Sequence, residues 1–512
     1  MPLGYAPYPI YDMRTGLFLA KEPWLIPKDA FVSLLNARLY QGKLIKRKGF
    51  TLFGSVASGN PITGIYTYYD AQGSSTLLAW DTRRCYQWFP LDKAFIDICG
   101  SDMWTGDAEH FMWAENWVNN MFVTNNTDRI KRFDGSSFSD LNIDINNDGT
   151  NDVNTCLLIF SYKQRLILLR TTEEGSLYPQ RARWCVPGDW SDWTNDGYVD
   201  APTLDWIMAA DFLGDDLVVF FERSIWALRY TGDTEQPFVW VKLVSTEGAY
   251  ASFSVTSFSD ELIALGPTGL VSTDGFDVTT LDEKLPDIAL EFNQEKYNLC
   301  YAAILEELRE TWMTYPQVGS NYADRVLSLN YLDNSWAIYD LSLHVLGYWE
   351  EDDDPTLDQI NQSFDELERI FDEHSKQAGY PITLGGTYDG KILQLNDGGD
   401  DLGNPIKLEI KSGRWNPFWE QGREARLGKI EFLFTTDPGI TLYVDFYTDF
   451  NTTPYKSEEI VLDGDGDKTW KAVFSGEVGT THQIVIRHEA VAQTCEIHAI
   501  VPWFKPAGRL FK

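Results

Sequence analysis

Arg129-Ile130-Lys131-Arg132-Phe133-Asp134-Gly135 and Gly386-Thr387-Tyr388-Asp389-Gly390-Lys391-Ile392-Leu393 decide how this chain is read. Each sets a short strand against an Asp-Gly pair, the dipeptide that best tolerates the positive φ angles of a tight hairpin turn. Thr268-Gly269 and Asp274-Gly275 punctuate the chain in the same way. Between such turns lie short alternating or wholly apolar runs, among them Gly64 to Tyr69, Thr76 to Trp80, Phe111 to Ala114, Asn120 to Thr124, Leu157 to Ser161, Arg165 to Arg170, Leu217 to Phe221, Ser224 to Tyr230, Glu261 to Leu265 and Val326 to Tyr331. Runs of this length and pattern are strands. Four-strand sets recurring at a spacing of roughly 40 to 50 residues are what propeller blades produce. The fold class is therefore mainly β, with residues 56–403 read as a β-propeller of about six blades; a stack of β-sandwiches is the competing arrangement.

The flanks differ in character. Residues 1–55 are Pro-punctuated and locally basic, ending in Lys43-Leu44-Ile45-Lys46-Arg47-Lys48-Gly49-Phe50, and read as an extended N-terminal arm. Within the arm, Ala30 to Leu39 is expected to form a short helix capped by Asp29. Near residues 350–378 an acidic run leads into Pro355, after which Leu357, Ile360, Phe364, Leu367 and Phe371 recur at helical spacing, so an amphipathic helix is expected to interrupt a late blade. Residues 404–512 carry longer alternating strands and read as a separate C-terminal β-sandwich.

Composition narrows the function classes. The 512 residues include 19 Trp and are 14% aromatic, which suits broad sheet faces and interfaces. The 42 Lys and Arg against 76 Asp and Glu leave a formal charge of −34. Such a chain does not wrap a nucleic acid by neutralising phosphates. An acidic lumen, by contrast, repels phosphates and lets a duplex move without sticking. Met1 to Ile10 has neither a basic nor an apolar region of a secretory signal, and no run reaches the length of a membrane span. The six cysteines are scattered without a C-x-x-C pair, as expected for reduced thiols in a chain made in a cytosol.

Few constellations carry chemistry. Asp144-Ile145-Asn146-Asn147-Asp148-Gly149-Thr150-Asn151-Asp152 matches the opening of a calcium loop, with Asp144, Asn146, Asp148 and Asp152 as oxygen ligands for a structural Ca²⁺. Thr155 stands where an EF-hand has its bidentate Glu, and a plain Asx-rich turn is the alternative. Asp463-Gly464-Asp465-Gly466-Asp467 reads as a hairpin loop. The six His fall into no metal-binding spacing, and neither a nucleophile elbow nor a P-loop is present. The chain is accordingly expected to be no enzyme and to require no cofactor. Two other classes stay open: a propeller glycoside hydrolase using axial carboxylates on a polysaccharide, and a Ca²⁺-dependent propeller adhesin.

Two stretches carry a resemblance. Pro23-Trp24-Leu25-Ile26-Pro27-Lys28-Asp29-Ala30, followed by Leu35-Asn36-Ala37-Arg38-Leu39 and the run from Gly42 to Phe50, resembles the N-terminal arm of tail hub proteins of short-tailed bacteriophages. Arg181-Ala182-Arg183-Trp184-Cys185-Val186-Pro187-Gly188-Asp189-Trp190-Ser191-Asp192-Trp193 is similar to a blade motif of the same proteins, with Cys185 in place of their commoner Ser. The resemblance covers about the first 230 residues by motif and the rest by architecture only.

It implies a packaged-DNA stabilisation protein, or tail nozzle, of the virion tail. Such a protein is a homo-oligomeric ring, usually of about six copies, below the portal and adaptor. The ring retains the packaged genome and conducts the DNA during ejection, and it meets tail fibres or a needle. Six copies of this chain would sum to a charge of about −200 around the bore. Trp24, Lys43, Lys46, Arg47 and Lys48, with Tyr8 and Tyr11 as further anchors, are then the expected partner contacts.

Overall fold

The computed structural model describes residues 4–90, 92–194, 197–258, 260–350, 381–462 and 466–510. It is almost entirely β. From Ile62 onward the chain lays down antiparallel four-stranded meanders. The first uses Ile62–Tyr69, Ser75–Asp81, Cys85–Phe89 and Ala94–Asp97, and the second runs from Trp113–Trp117 to Phe138–Asp140. The third spans Val153–Tyr162 to Tyr198–Asp200, the fourth Ile207–Leu213 to Phe238–Val244, and the fifth Thr256–Phe258 to Val278–Thr280. A sixth runs from Tyr301–Leu305 to Ser335–Tyr339.

A seventh sheet takes three strands in order, Val345–Trp349, Ile382–Gly386 and Lys391–Leu395. Its fourth strand is Phe50–Ser55 from the N-terminal segment, antiparallel to Lys391–Leu395 with Phe50 opposite Leu395. Among the described residues there are thus seven such sheets, against an expectation of about six blades.

The leading strands of consecutive sheets pack on one another, and Val345–Trp349 of the seventh packs on Ile62–Tyr69 of the first, so the series closes into a ring. Between the third and fourth sheets the contact is made by the Phe160 and Phe212 rings, 5.6 Å apart, and by the Tyr162 hydroxyl donating to the Asp215 carbonyl. Two glycines permit the closing seam. A Cβ on Gly347 would lie 2.7 Å from Ile65 Cβ, and one on Gly386 would lie 2.7 Å from Ile62 Cβ. Aromatic side chains fill the other seams, with Trp80, Trp104, Trp193, Phe122 and Phe220 fully buried, each worth about 1.5–3 kcal/mol or more of burial.

The N-terminal segment is woven into the molecule. Ala30–Leu35 is a strand, not the expected helix. It pairs antiparallel with Ile406–Ser412, and Leu35 bridges to Ile338, so it joins the sixth sheet to the C-terminal strands in one ten-stranded sheet. Two partner strands outweigh local helix propensity here. Asp29 accepts a hydrogen bond from the Thr15 hydroxyl at 2.5 Å instead of capping a helix.

Ala37–Tyr40 and Lys43–Lys46 form a hairpin added to a second C-terminal sheet of Cys495–Arg509, Arg423–Thr436 and Thr469–Phe474. The expected divisions at residues 55 and 403 therefore cut through continuous sheets. The helix expected near 350–378 falls on residues 351–380, outside the described residues, as does the 463–465 part of the acidic turn. All six cysteines are free thiols. Among the described residues no helix is long and apolar enough to cross a membrane.

Candidate functional site

The basic run is spent inside the chain. Lys43 Nζ meets Glu496 Oε2 at 2.6 Å. Lys46 is buried and donates to the carbonyls of Ala490 and Gln493, and burial lowers its pKa to about 8. Arg47, also buried, donates from Nη1 and Nη2 to the two oxygens of Asp401 at 2.8 and 2.5 Å, and from Nε to Asn36 Oδ1 at 2.7 Å. Of the residues expected to meet a partner, Lys43, Lys46 and Arg47 thus hold their own fold together, while Lys48 is exposed. Trp24 is half-buried with its ring edge-on to Phe450 at 5.3 Å, Tyr8 lies against Phe504, and Tyr11 is 63% exposed.

The loop expected to hold Ca²⁺ directs its oxygens at its own backbone. Asp144 accepts from the N–H groups of Asp148 and Gly149, Asn146 from Asp148, Asp148 from Thr150, and Asp152 from Ile145. Those bonds are of the Asx-turn kind. Among the described residues no three His, Cys, Asp or Glu side chains are grouped to hold a metal.

In the blade motif, Arg181 and Arg183 both bind the buried Glu173, and the Arg181 guanidinium lies between the Tyr178 and Tyr198 rings, 3.8 and 4.0 Å from their centroids. Cys185 Sγ accepts the Leu166 N–H at 3.1 Å, so the thiol serves as an acceptor inside the fold. The Asp189 carboxylate accepts from the Ser191 N–H and hydroxyl, which closes the turn.

Two features were not singled out from the sequence. The first is a well against the leading strands of four neighbouring sheets, the fifth, sixth, seventh and first. A cavity of about 330 Å³ is lined by Tyr66 and Thr67 of the first sheet, Thr256 of the fifth, Tyr301 of the sixth and Tyr348 of the seventh. Thr256 and Tyr348 also line a neighbouring cavity of about 290 Å³, which Ser257, Glu306 and Glu307 border.

At the end where the leading strands begin, rings from opposite sides of the ring of sheets touch. Phe111, just before the second sheet, lies 5.1 Å from Phe253, just before the fifth, and 5.5 Å from Tyr301 of the sixth. Trp113 is 5.8 Å from Phe253, and Phe253 stacks on Tyr301 at 5.4 Å. Side chains that meet across the axis close it, so the well is blind at this end. Glu306 and Glu307, in the turn after Tyr301–Leu305, mark the other end.

Two acids stand on the leading strands beside the well. Glu115 Oε1 accepts from the Ser161 N–H and hydroxyl, at 3.0 and 2.5 Å. Asp211 accepts from the Phe212 N–H at 2.7 Å and from Ser257. Burial raises the pKa of both carboxyls, and Asp211 raises that of Glu115 further. Burial also raises Tyr66, and lifts Tyr301 to about 12. The sequence signal was an acid among apolar and aromatic residues of a leading strand, Glu115 between Trp113 and Trp117 and Asp211 within Ile207–Leu213.

The second feature is the outer face of the C-terminal sheet. Thr469–Phe474 is its edge strand, paired among the described residues on one side only, to Arg423–Thr436. Trp470 and Phe474 alternate outward and are 53% and 63% exposed. They sit opposite Leu433 and Lys429, and Lys429 Nζ lies 5.1 Å from the centroid of the Trp503 ring. Arg423, Arg426, Lys468 and Arg509 are exposed on the strands and turns of this sheet, beside the exposed acids Asp467 and Glu477.

No family model and no curated protein matches the chain. Several solved structures are similar to it at a distance. The computationally designed Ika8 protein aligns with a TM-score of 0.34 and 9% identity, over 71% of this chain and 96% of its own. PorZ, a surface component of the type-IX secretion system of Porphyromonas gingivalis, aligns with a TM-score of 0.33 and 10% identity, over 75% of this chain and 44% of its own. An exo-β-1,3-galactanase from Phanerochaete chrysosporium aligns with a TM-score of 0.24 and 8% identity, over 76% of this chain and 95% of its own. Similarity this remote carries neither an activity nor a partner over to this chain.

Proposed function

We propose that the seven-sheet ring is a β-propeller and that the chain is a non-catalytic subunit of a ring-shaped assembly of the tail hub, or nozzle, kind. The observation that carries this reading is the outer face of the C-terminal sheet. An edge strand with outward-facing Trp470 and Phe474, whose Phe474 carbonyl takes a hydrogen bond from Lys456, offers apolar surface to another chain. The occupant of this face is a second copy. Its exposed Arg423, Arg426, Lys468 and Arg509 complement the surface of a neighbour whose formal charge is −34.

The blind well also bears on the path of the genome. A cavity of about 330 Å³ closed by aromatic rings admits no duplex, whose major groove alone is about 12 Å wide. In this reading DNA passes between copies, along an acidic bore that they share, and not through the axis of one propeller. The portal-adaptor ring and the fibre or needle proteins dock on the rims of that assembly, in the virion tail.

The test is sedimentation of the purified chain beside a Trp470→Ser/Phe474→Ser variant. The wild type is expected to form closed oligomers of about six copies, and the variant to stay folded but fall to monomers. Equal assembly of both would remove this face from the interface.

A further inference from the structure

Of the six cysteines, only Cys99 is not fully buried, and its sulfur lies against the backbone of another. The Cys85 N–H donates to Cys99 Sγ at 3.2 Å, and the Cys99 thiol donates to the Cys85 carbonyl at 3.7 Å. That carbonyl also takes the Ile98 N–H at 3.2 Å, so the residues after Ala94–Asp97 continue alongside Cys85–Phe89, the third strand of the first sheet. A sulfur in touch with both the N and the O of the other cysteine keeps the two residues in the range that a disulfide spans. The Cys85 sulfur is turned toward the Tyr86 carbonyl, 4.0 Å away, and rotation about its Cα–Cβ bond aims it at Cys99.

The segment that carries Cys99 is strapped in place. Asp97 accepts the Cys99 and Gly100 N–H groups at 2.7 and 3.2 Å. Arg84, next to Cys85, donates to Asp97 at 2.7 Å and to Asp102 at 2.8 Å, and the Met103 and Trp104 N–H groups both donate to the Arg83 carbonyl. A thiol held beside its partner in this way presents a high effective concentration, which favours closure to an internal disulfide over a lasting adduct with a small thiol. Cys156, Cys185, Cys300 and Cys495 are buried, out of reach of a reagent in solution.

We propose that Cys85 and Cys99 are a redox-modifiable pair, which a small-molecule disulfide converts in the folded chain to an internal disulfide that staples the outer hairpin of the first sheet. Cys99 Sγ, the sulfur within reach, attacks the reagent first: a bond to one reagent sulfur forms, the reagent S–S bond breaks, and one reagent thiol leaves. Cys85 Sγ then attacks Cys99 Sγ and releases the second reagent thiol. The two protein thiols lose two electrons and two protons, and the reagent disulfide takes them up as two thiols. Burial lifts the Cys99 thiol to about 11, so exchange is slow at neutral pH and the reduced pair persists until an oxidant is supplied. The stapled hairpin is the one whose Trp88 and Phe95 pack on Phe53 of the borrowed strand Phe50–Ser55, at 4.3 and 6.3 Å between ring centroids. The pair lies wholly within one copy and does not rest on the assembly reading.

The test is incubation of the folded full chain with 2-hydroxyethyl disulfide at mildly alkaline pH, followed by intact-mass and non-reducing peptide-mapping mass spectrometry and by a thermal scan, with Cys99→Ser beside the wild type. Expected for the wild type are a chain two hydrogens lighter, a single linked peptide pair that joins Cys85 to Cys99, and an upward shift of a few degrees in the thermal midpoint that dithiothreitol reverses. Cys99→Ser should gain neither the link nor the shift. Peptide mapping of the wild type decides the pairing even if that variant folds poorly. The proposal is overturned by a reagent adduct that persists on Cys99, by links between other cysteines, by no reaction of the folded chain when the urea-unfolded chain reacts, or by a Cys85–Cys99 link that leaves the thermal transition unchanged.

Discussion

Arg47→Met distinguishes an internal clasp from a docking residue. The guanidinium makes five hydrogen bonds within the chain: two to Asp401, one to Asn36 Oδ1, one to the Lys48 carbonyl and one to the Asp340 carbonyl. These join the N-terminal segment to the end of the sixth sheet and to the approach to the C-terminal strands. Asn36 extends the network, accepting the Asp340 N–H and donating to the Lys407 carbonyl.

Removing one partner of a buried ion pair costs about 3–5 kcal/mol. The Arg47 side chain is 4% exposed and Asp401 is 17% exposed, so water reaches the abandoned carboxylate and the low end, about 3 kcal/mol, applies. Urea unfolding followed by tryptophan fluorescence should show the midpoint falling by that equivalent. Arg47→Met/Asp401→Leu, which removes both charges, should recover the part of the loss owed to the stranded Asp401 carboxylate, while the bonds to Asn36, Lys48 and Asp340 stay lost. If Arg47→Met unfolds at the wild-type midpoint yet fails to assemble, the residue faces a partner and the clasp is refuted.

Three further outcomes follow from the same geometry. Gly347→Ala and Gly386→Ala each drive a methyl against Ile65 or Ile62 at the closing seam, and each should cost about 1–3 kcal/mol by calorimetry; an unchanged transition would mean that the seam is not close-packed. His344 is buried between the Phe111 and Tyr388 rings, and burial depresses its pKa to about 3. The unfolded chain therefore takes up a proton near pH 6.5 that the folded chain refuses, so this contribution is complete above about pH 6.5 and falls toward pH 3 by up to about 1.4 kcal/mol per unit. His344→Phe should flatten that slope in urea midpoints taken between about pH 7 and pH 5. Asp211 has the opposite sign: its folded pKa is raised, so its ionisation costs stability as the pH climbs above the unfolded value. Asp211→Asn should raise the midpoint at neutral pH and lose that advantage below about pH 4, whereas a lowered neutral midpoint would contradict the assignment.

The hairpins were legible because their chemistry is local. Gly135, Gly269, Gly275 and Gly390 all have positive φ, and the Asp134 and Asp274 carboxylates accept the backbone N–H groups that follow them. The strands Asn120–Thr124 and Ile225–Tyr230 lie where alternation places them. What escaped was non-local. The seventh sheet borrows Phe50–Ser55 from more than three hundred residues away, so no window of sequence contains it. Ala30–Leu35 reads as a short helix until Ile410 and Ile338 are beside it.

The basic run misleads for a related reason. Charge along the chain does not reveal that Glu496 and Asp401 fold back to meet Lys43 and Arg47. The axial acids Glu115 and Asp211 were visible only as polar residues in apolar strands, because the ring closure that gathers them is a property of the whole chain.

The central claim, that copies of this chain assemble through faces of the fold around a shared acidic bore, is tested most directly by cryo-electron microscopy of the purified chain with its adaptor protein. The account predicts a closed ring in which the Trp470 and Phe474 edge of each copy lies against the next and density for DNA runs between subunits. Single particles with no affinity for the adaptor, under conditions in which the chain is folded, would contradict it.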